Sequence, residues 1–349
     1  MKSNDKIKIL SLNGGGVRGL FSISVLAQIE KIIEQKTGNR DVRVGDYFDL
    51  IAGSSIGGVL ALGLASGKSA RELQAIFYEH APIIFPQRYS WLRKWKTLFS
   101  PRYDNKPLYM AVKNIVGEAT FNDLNSRVII PAINLTSGVP HIFRTPHHSR
   151  FYHGGRITLV DAAMATSAAP TYFAPYYCET LKSYFTDGGL IANNPSLLGL
   201  HEIQDYFYED PTNYIDIKNI RILNIGTLNE NYAIKHSKLE AKHNNGFLGL
   251  WGMGERLVLT KISSNQWLNK NLLVRELMKT NNLEHYIYID EKKMGQVEVD
   301  YSLDNSHLEN LNLLVSYGIQ QANIKYNENE SLRDLFCQKA LAFEKNKLQ

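Results

Sequence analysis

The chain has 349 residues, 44% of them hydrophobic and 21% charged, with a net charge of +5 and a pI near 8.9. This excludes a disordered or fibrous chain and suffices for one large or two modest globular domains. Two cysteines, Cys178 and Cys337, exclude a disulfide framework and read as reduced thiols. The sequence has neither a signal-like apolar region nor a run of eighteen apolar residues, so a soluble, cytoplasmic protein is expected. The mild positive charge fits an anionic partner, lipid or nucleotide, and does not choose between them.

The first element is a strand, Ile7 to Leu12, followed by Gly14-Gly15-Gly16-Val17-Arg18-Gly19. A helix is predicted from about Leu20 to Gln35, with Leu20, Ile23, Leu26, Ala27, Ile29 and Ile33 spaced for one buried face. Consecutive glycines at a helix start expose backbone N–H groups with no Cβ in the way, which makes an anion hole. The same residues satisfy the G-x-G-x-x-G dinucleotide fingerprint, so a nucleotide-binding module is a rival. That fingerprint needs a strand ending in an acid about twenty residues on. Here the corresponding stretch, Lys31 to Lys36, is still helical in pattern.

A second strand over 47–52 leads into Gly53-Ser54-Ser55-Ile56-Gly57. The pentapeptide is G-x-S-x-G, and the apolar run Gly58 to Ala65 behind it suits a helix. A strand, a sharp turn and a helix start place Ser55 Oγ at the tip of a nucleophile elbow, with Gly53 and Gly57 permitting the turn. By itself the motif also fits a small-residue turn with a solvated serine.

Residues 85–103 mix Trp91, Trp95, Phe99 and Tyr103 with arginine and lysine, and carry no acid. The pattern suits either a lid helix packed on the core or a membrane-docking helix. Nucleic-acid binding is a weaker reading, because no nucleic-acid motif accompanies the charge. Further strands are predicted at 127–133, 183–186 and 219–225. The fourth strand ends in Asp187-Gly188-Gly189. Asn194 then reads as an N-cap, with Pro195 at the first helical position. Beyond residue 228 the chain reads as a polar and glycine-rich loop to about 251 and a helix over 253–279. A strand at 284–290 follows, then helices over 305–325 and 331–345.

In order, the chain offers G-G-G-x-R-G at 14–19, G-x-S-x-G at 53–57 and D-G-G at 187–189. This set resembles the patatin-like phospholipase family. Ala165 to Phe173 and Ile222 to Thr227 resemble that family's small-residue helix end and its late strand. The resemblance spans roughly residues 6–228, so 1–228 is expected to be the catalytic core, with 229–349 a C-terminal elaboration completing the same domain. It implies a three-layer α/β fold, with a mostly parallel central sheet and helices on both faces. It also implies a Ser55–Asp187 dyad that cleaves fatty-acyl esters of membrane phospholipids without a metal or an organic cofactor.

The residues allow the dyad to be weighed against a triad. An ordinary α/β-hydrolase runs serine, acid, histidine. After Asp187 come His201, His236, His243, His285 and His307, none in a small-residue loop behind a buried strand. His147 and His148 precede the aspartate. A carboxylate acting alone as base needs its pKa raised by burial. The amides of Gly15 and Gly16, with Gly14 and Arg18 nearby, are the expected oxyanion hole, unless Arg18 instead serves structure by pairing with a carboxylate. Gly246 to Trp267 resembles the CapV-type phospholipase effectors of CBASS antiphage defence. That resemblance implies activation by a cyclic dinucleotide such as 3′,3′-cGAMP, through contacts in the C-terminal region. Opening of 85–103 or assembly of a homo-oligomer would then expose the site at the inner face of the membrane. A constitutive lipid acyl hydrolase and a non-catalytic membrane-binding protein are the alternatives.

Overall fold

The computed structural model describes residues 6–87, 100–208, 213–228, 234, 236–240, 246–247, 249–290 and 302–340. Among these residues, the centre is an eight-stranded mixed sheet. The strands are β1 (Ile7–Leu12), β2 (Leu50–Gly53), β3 (Arg127–Asn134), β4 (Val139–Arg144), β5 (Tyr176–Cys178), β6 (Ser183–Asp187), β7 (Ile220–Ile225) and β8 (Tyr286–Ile289). Their order is β5-β6-β3-β2-β1-β7-β8, with β4 also on β3. The run β3-β2-β1-β7-β8 is parallel, and β4, β5 and β6 pair antiparallel.

Alternation along each strand divides the core into two layers, because successive side chains leave opposite faces of a sheet. Leu10 and Leu12 of β1, Ile51 of β2 and Leu223 and Ile225 of β7 enter the larger layer. Helices α1 (Gly19–Thr37), α2 (Ile56–Ala65), α3 (Ala70–Ile84), α4 (Asn105–Val116) and α5 (Leu159–Ser167) fill it. Ile7, Ile9, Leu50, Ala52, Ile220 and Ile222 point the other way. Against them pack α7 (Ser196–Tyr206), which follows the short α6 (Gly189–Ala192), and the distal half of α8 (Glu255–Lys279) through Leu273 and Leu277. Both faces are covered, as a parallel sheet requires. The C-terminal third shares these layers: β8 extends the sheet, and α9 (Leu308–Glu328) lies along α1.

Several boundaries differ from the sequence expectations. Residues 44–47 form a 3-10 turn, and β2 begins only at Leu50, because Asp49 caps the β1 backbone by accepting from the amide of Lys8 at 2.8 Å. Two short antiparallel strands, β4 and β5, had no clear alternating pattern and were not expected. Pro195 is the N-cap of α7 rather than its first residue, while Asn194 Oδ1 accepts from the amide of Ser196 at 3.0 Å. Of the helix expected over 331–345, the described residues hold α10 (Glu330–Leu335), and 341–345 lie outside the described residues. After Leu335 the Lys8 ammonium draws in the carbonyls of Leu335 and Gln338, and Phe336 packs edge-on against Tyr47 and Phe48. The expected lid or docking helix at 85–103 lies largely outside the described residues, as does much of the loop after 228. Among the described residues, no helix is long and apolar enough to cross a membrane.

Candidate active site

The carboxyl ends of β1, β2 and β7 are level, since Leu12 pairs with Gly53 on one side and with Ile225 on the other. The three loops that leave these ends therefore meet above the sheet. They carry Gly14–Gly16, Ser55 and Thr227. The acid arrives from the opposite direction. Along one edge of β3, β2 pairs with residues 127–129 and β6 with residues 132–134. Ala52 ends the first pairing opposite Ile129, and Asp187 ends the second opposite Ala132. The gap between them is where Ser55 turns out of the sheet, so pairing register alone brings the two side chains together.

Ser55 Oγ donates to Asp187 Oδ2 at 2.7 Å. Ser55 has φ 52 and ψ −128, a strained conformation that a non-glycine residue rarely adopts. Tight contacts enforce it: a Cβ on Gly53 would stand 2.2 Å from the Gly57 carbonyl oxygen, and one on Gly57 2.3 Å from that of Leu12. Thr166, at the end of α5, supports both partners. Its hydroxyl accepts from the Ser55 amide at 3.0 Å and donates to the Pro131 carbonyl at 2.6 Å, while its own carbonyl accepts from the amide of Gly188.

Asp187 is 2% exposed, and its second oxygen accepts from the Gly189 amide at 2.6 Å. Burial pushes its carboxyl up to about 6, against the downward pull of the Ser55 and Gly189 hydrogen bonds. A carboxyl in that range is a far better proton acceptor near neutrality than an ordinary aspartate. Neither Ser55 nor Asp187 bonds a histidine among the described residues. His147 instead lies 3.0 Å from Glu202, and His201 is within α7.

The glycine loop divides into an anchored part and an open part. The Gly14 amide donates to the Asn193 carbonyl at 3.1 Å, so it is spent on the scaffold. The Gly14 carbonyl accepts from Thr227 Oγ1 at 2.8 Å and from Asn193 Nδ2 at 3.3 Å. Arg18 is buried and donates from Nε to the Gly15 carbonyl at 3.3 Å, so it braces the loop. The amides of Gly15 and Gly16 form no hydrogen bond among the described residues, and both residues line the same cavity as Ser55 and Asp187. Asn193 couples the loop to α8, since its side chain donates to Gln266 Oε1 at 2.7 Å and its amide to Asn265 Oδ1 at 3.1 Å. Thr166, Asn193, Thr227 and Gln266 stand in segments whose pattern was recognisable, yet nothing local marked them as supports. Among the described residues no cluster of His, Cys, Asp and Glu could hold a metal.

The remaining walls are apolar, with Ile84, Phe85, Leu108, Phe173, Ile262 and Leu303 among them. The cavity is partly open to solvent, with Ser55 half-buried in its wall. Contacts between distant segments border it. Arg102 pairs with Glu255 at 2.6 Å and with Asp304 at 2.8 Å. Tyr103 donates to Asp304 and Tyr172 to Glu255. Ser306 Oγ donates to the Phe85 carbonyl at 2.6 Å.

A serine at a strained strand-to-helix turn, with a buried carboxylate on its hydroxyl and open amides beside it on an α/β scaffold, is the arrangement that serine-hydrolase chemistry requires. The chain belongs to the patatin-like phospholipase family, whose sequence model matches residues 10–198. It is 48% identical over 347 residues to a cGAMP-activated phospholipase of Escherichia coli (strain TW11681), covering 99% of this chain and 96% of that one. It is 49% identical over 349 residues to the cGAMP-activated phospholipase of Vibrio cholerae serotype O1 (strain ATCC 39315 / El Tor Inaba N16961), covering 97% of each. Among solved structures, VipD from Legionella pneumophila aligns with a TM-score of 0.43 and 13% identity, covering 93% of this chain and 67% of that one.

Proposed function

We propose that the protein hydrolyses fatty-acyl esters of membrane phospholipids at Ser55 and is switched on by a cyclic dinucleotide of the cGAMP type. The observation that carries the hydrolase reading is the 2.7 Å bond from Ser55 Oγ to a carboxylate whose burial raises its basicity. Ser55 Oγ attacks the acyl carbonyl carbon while Asp187 takes the hydroxyl proton. The carbonyl oxygen gains negative charge in front of the Gly15 and Gly16 amides, which have no competing partner among the described residues. Collapse expels the lysolipid alkoxide, which takes the proton back from Asp187. Water, deprotonated by the same carboxylate, then attacks the acyl-serine and releases the fatty acid.

Two observations support regulation. The near-full-length relatives are named for activation by cGAMP. The Arg102–Glu255–Asp304 contacts tie together distant segments beside Tyr172 and Leu303, which line the Ser55 cavity. An activator that prefers a state with the Arg102–Glu255–Asp304 contacts opened would populate the competent form. The activator's own site is proposed to include part of the region after residue 228, and assembly into a homo-oligomer is one route to opening. Action is proposed from the cytoplasm at the inner face of the membrane, with no nucleic-acid polymer as partner. The test is fatty-acid release from phospholipid vesicles with and without a panel of cyclic and linear dinucleotides. Activation by one or two cyclic species is expected, and equal rates with every nucleotide would leave a constitutive acyl hydrolase.

A further inference from the structure

Helix α8 has two unlike faces. Its inner face meets the site: Ile262 lines the cavity, and Gln266 and Asn265 hold Asn193. Its outer face is exposed at Leu257, Lys261, Ser264, Leu268, Leu272, Arg275 and Lys279, steps of three or four that draw one continuous stripe. Trp267 and Met278 flank that stripe and are also exposed. Trp267 is 56% exposed and Leu268 51%, on a helix whose neighbours already fill the sheet face beneath it.

The charges on this face select its occupant. Lys261, Arg275 and Lys279 are exposed there, against one exposed acid, Glu276. The other acid of the helix, Glu255, is tied inward to Arg102 and Tyr172. An interface with a second copy of this chain would set these cations against one another, because a two-fold contact presents the same patch on both sides. An anionic bilayer pairs with both features at once. Tryptophan and leucine enter the headgroup boundary, and lysine and arginine neutralise lipid phosphates.

We propose that the outer face of α8 is a membrane-docking surface for anionic phospholipid, centred on Trp267, Leu268 and Leu272. This rests on the phospholipase reading and adds where the bilayer sits. A membrane on that face lies one helix diameter, about 10 Å, from the cavity wall formed by Ile262. Because Gln266 and Asn265 sit beside Trp267 in sequence and hold Asn193, the docked helix also reaches the residue that anchors Gly14.

The test uses the full chain with 3′,3′-cGAMP present, and vesicles of phosphatidylcholine with and without 30% phosphatidylglycerol. Co-sedimentation, vesicle hydrolysis, hydrolysis of a soluble short-chain ester and mass by light scattering are measured for each variant. Leu268→Glu/Leu272→Glu should bind anionic vesicles at least tenfold more weakly and lose vesicle hydrolysis in proportion, while soluble-ester turnover stays within twofold. Lys261→Glu/Arg275→Glu should lose the preference for phosphatidylglycerol and leave soluble-ester turnover intact. Unchanged vesicle binding in both variants would overturn the proposal. So would weaker binding that follows only from loss of a lipid-independent oligomer, which would assign the face to a second copy. Should wild type bind vesicles but release no fatty acid from them, the phospholipase reading fails while the docking surface stands.

Discussion

Asp187→Asn should inactivate the protein and stabilise it at once. The substitution keeps the shape of the side chain. Its oxygen can still accept from Gly189, and its amide can donate to Ser55 Oγ, so the contact to each neighbour is kept with the direction of the second reversed. It removes a charge that folding buries at a cost. Burial lifts the carboxyl from its ordinary 3.8 to about 6. At about 1.36 kcal/mol per unit, ionised Asp187 costs the folded state roughly 3 kcal/mol. The sign follows from linkage. A folded pKa above the unfolded one means that the native state binds the proton more tightly. The associated stability is full below about pH 4 and is lost as pH rises through about 6. Wild type therefore carries the whole penalty at pH 8, and the asparagine variant carries none. With unfolding entropy near 2.1 cal/mol/K per residue, 3 kcal/mol corresponds to roughly 4 °C for a chain of this length. Thermal unfolding of both proteins between pH 4 and 8 measures the difference. The curves should nearly coincide at pH 4, separate through pH 6 and run parallel above pH 7. Equal midpoints at pH 8 would refute the claim that a buried, ionised carboxylate sits on Ser55.

Wild-type turnover of a soluble ester should fall as pH drops through about 6, following protonation of Asp187, and a profile flat to pH 4.5 would remove it as the base. Gly15→Ala and Gly16→Ala should each lower turnover by roughly a hundredfold, the usual cost of a misplaced oxyanion donor, with a much smaller change in KM. The new Cβ would stand 2.4 Å from Thr227 Oγ1 or 2.1 Å from the Leu303 carbonyl oxygen, so the loop must shift. Thr166→Val should destabilise by roughly 1–3 kcal/mol, because the Ser55 amide loses its buried acceptor, and turnover should drop at least tenfold. Arg102→Ala should raise vesicle hydrolysis without activator about tenfold, equivalent to about 1.4 kcal/mol of destabilisation of the closed form. No rise would show that the Arg102 contacts to Glu255 and Asp304 do not hold the site shut.

The parts of the site that the sequence displays are those with a local signature. Gly14–Gly19, Gly53–Gly57 and Asp187–Gly189 each carry their geometry within a few residues, and a short, mostly apolar, buried parallel strand stands before each of the first two. The support around them is long-range and has no local pattern. Thr166 meets Ser55 across 111 positions, and Asn193 meets Gln266 across 73. A threonine at a helix end or an asparagine before a proline reads as a cap in any chain. A structural role for Arg18 is open in the sequence, but its bond to the Gly15 carbonyl is not, and only Asn193 and Thr227 reveal that Gly14 is anchored. Near the C-terminus, periodicity predicts a helix running on from residue 331. The tertiary pull of Lys8 on the carbonyls of Leu335 and Gln338 interrupts it after Leu335, and nothing near residue 335 announces a lysine at position 8.

The most direct test of the account is fatty-acid release from phosphatidylglycerol-containing vesicles by wild type and by Ser55→Ala, each with and without 3′,3′-cGAMP. Release by wild type should rise sharply with the nucleotide. Release by Ser55→Ala should be indistinguishable from buffer, with the nucleotide-induced rise in thermal midpoint retained because the folded chain still binds it. Comparable release by the Ser55→Ala protein would contradict the account at its centre, since the 2.7 Å Ser55–Asp187 pair would then not be where the ester is cleaved.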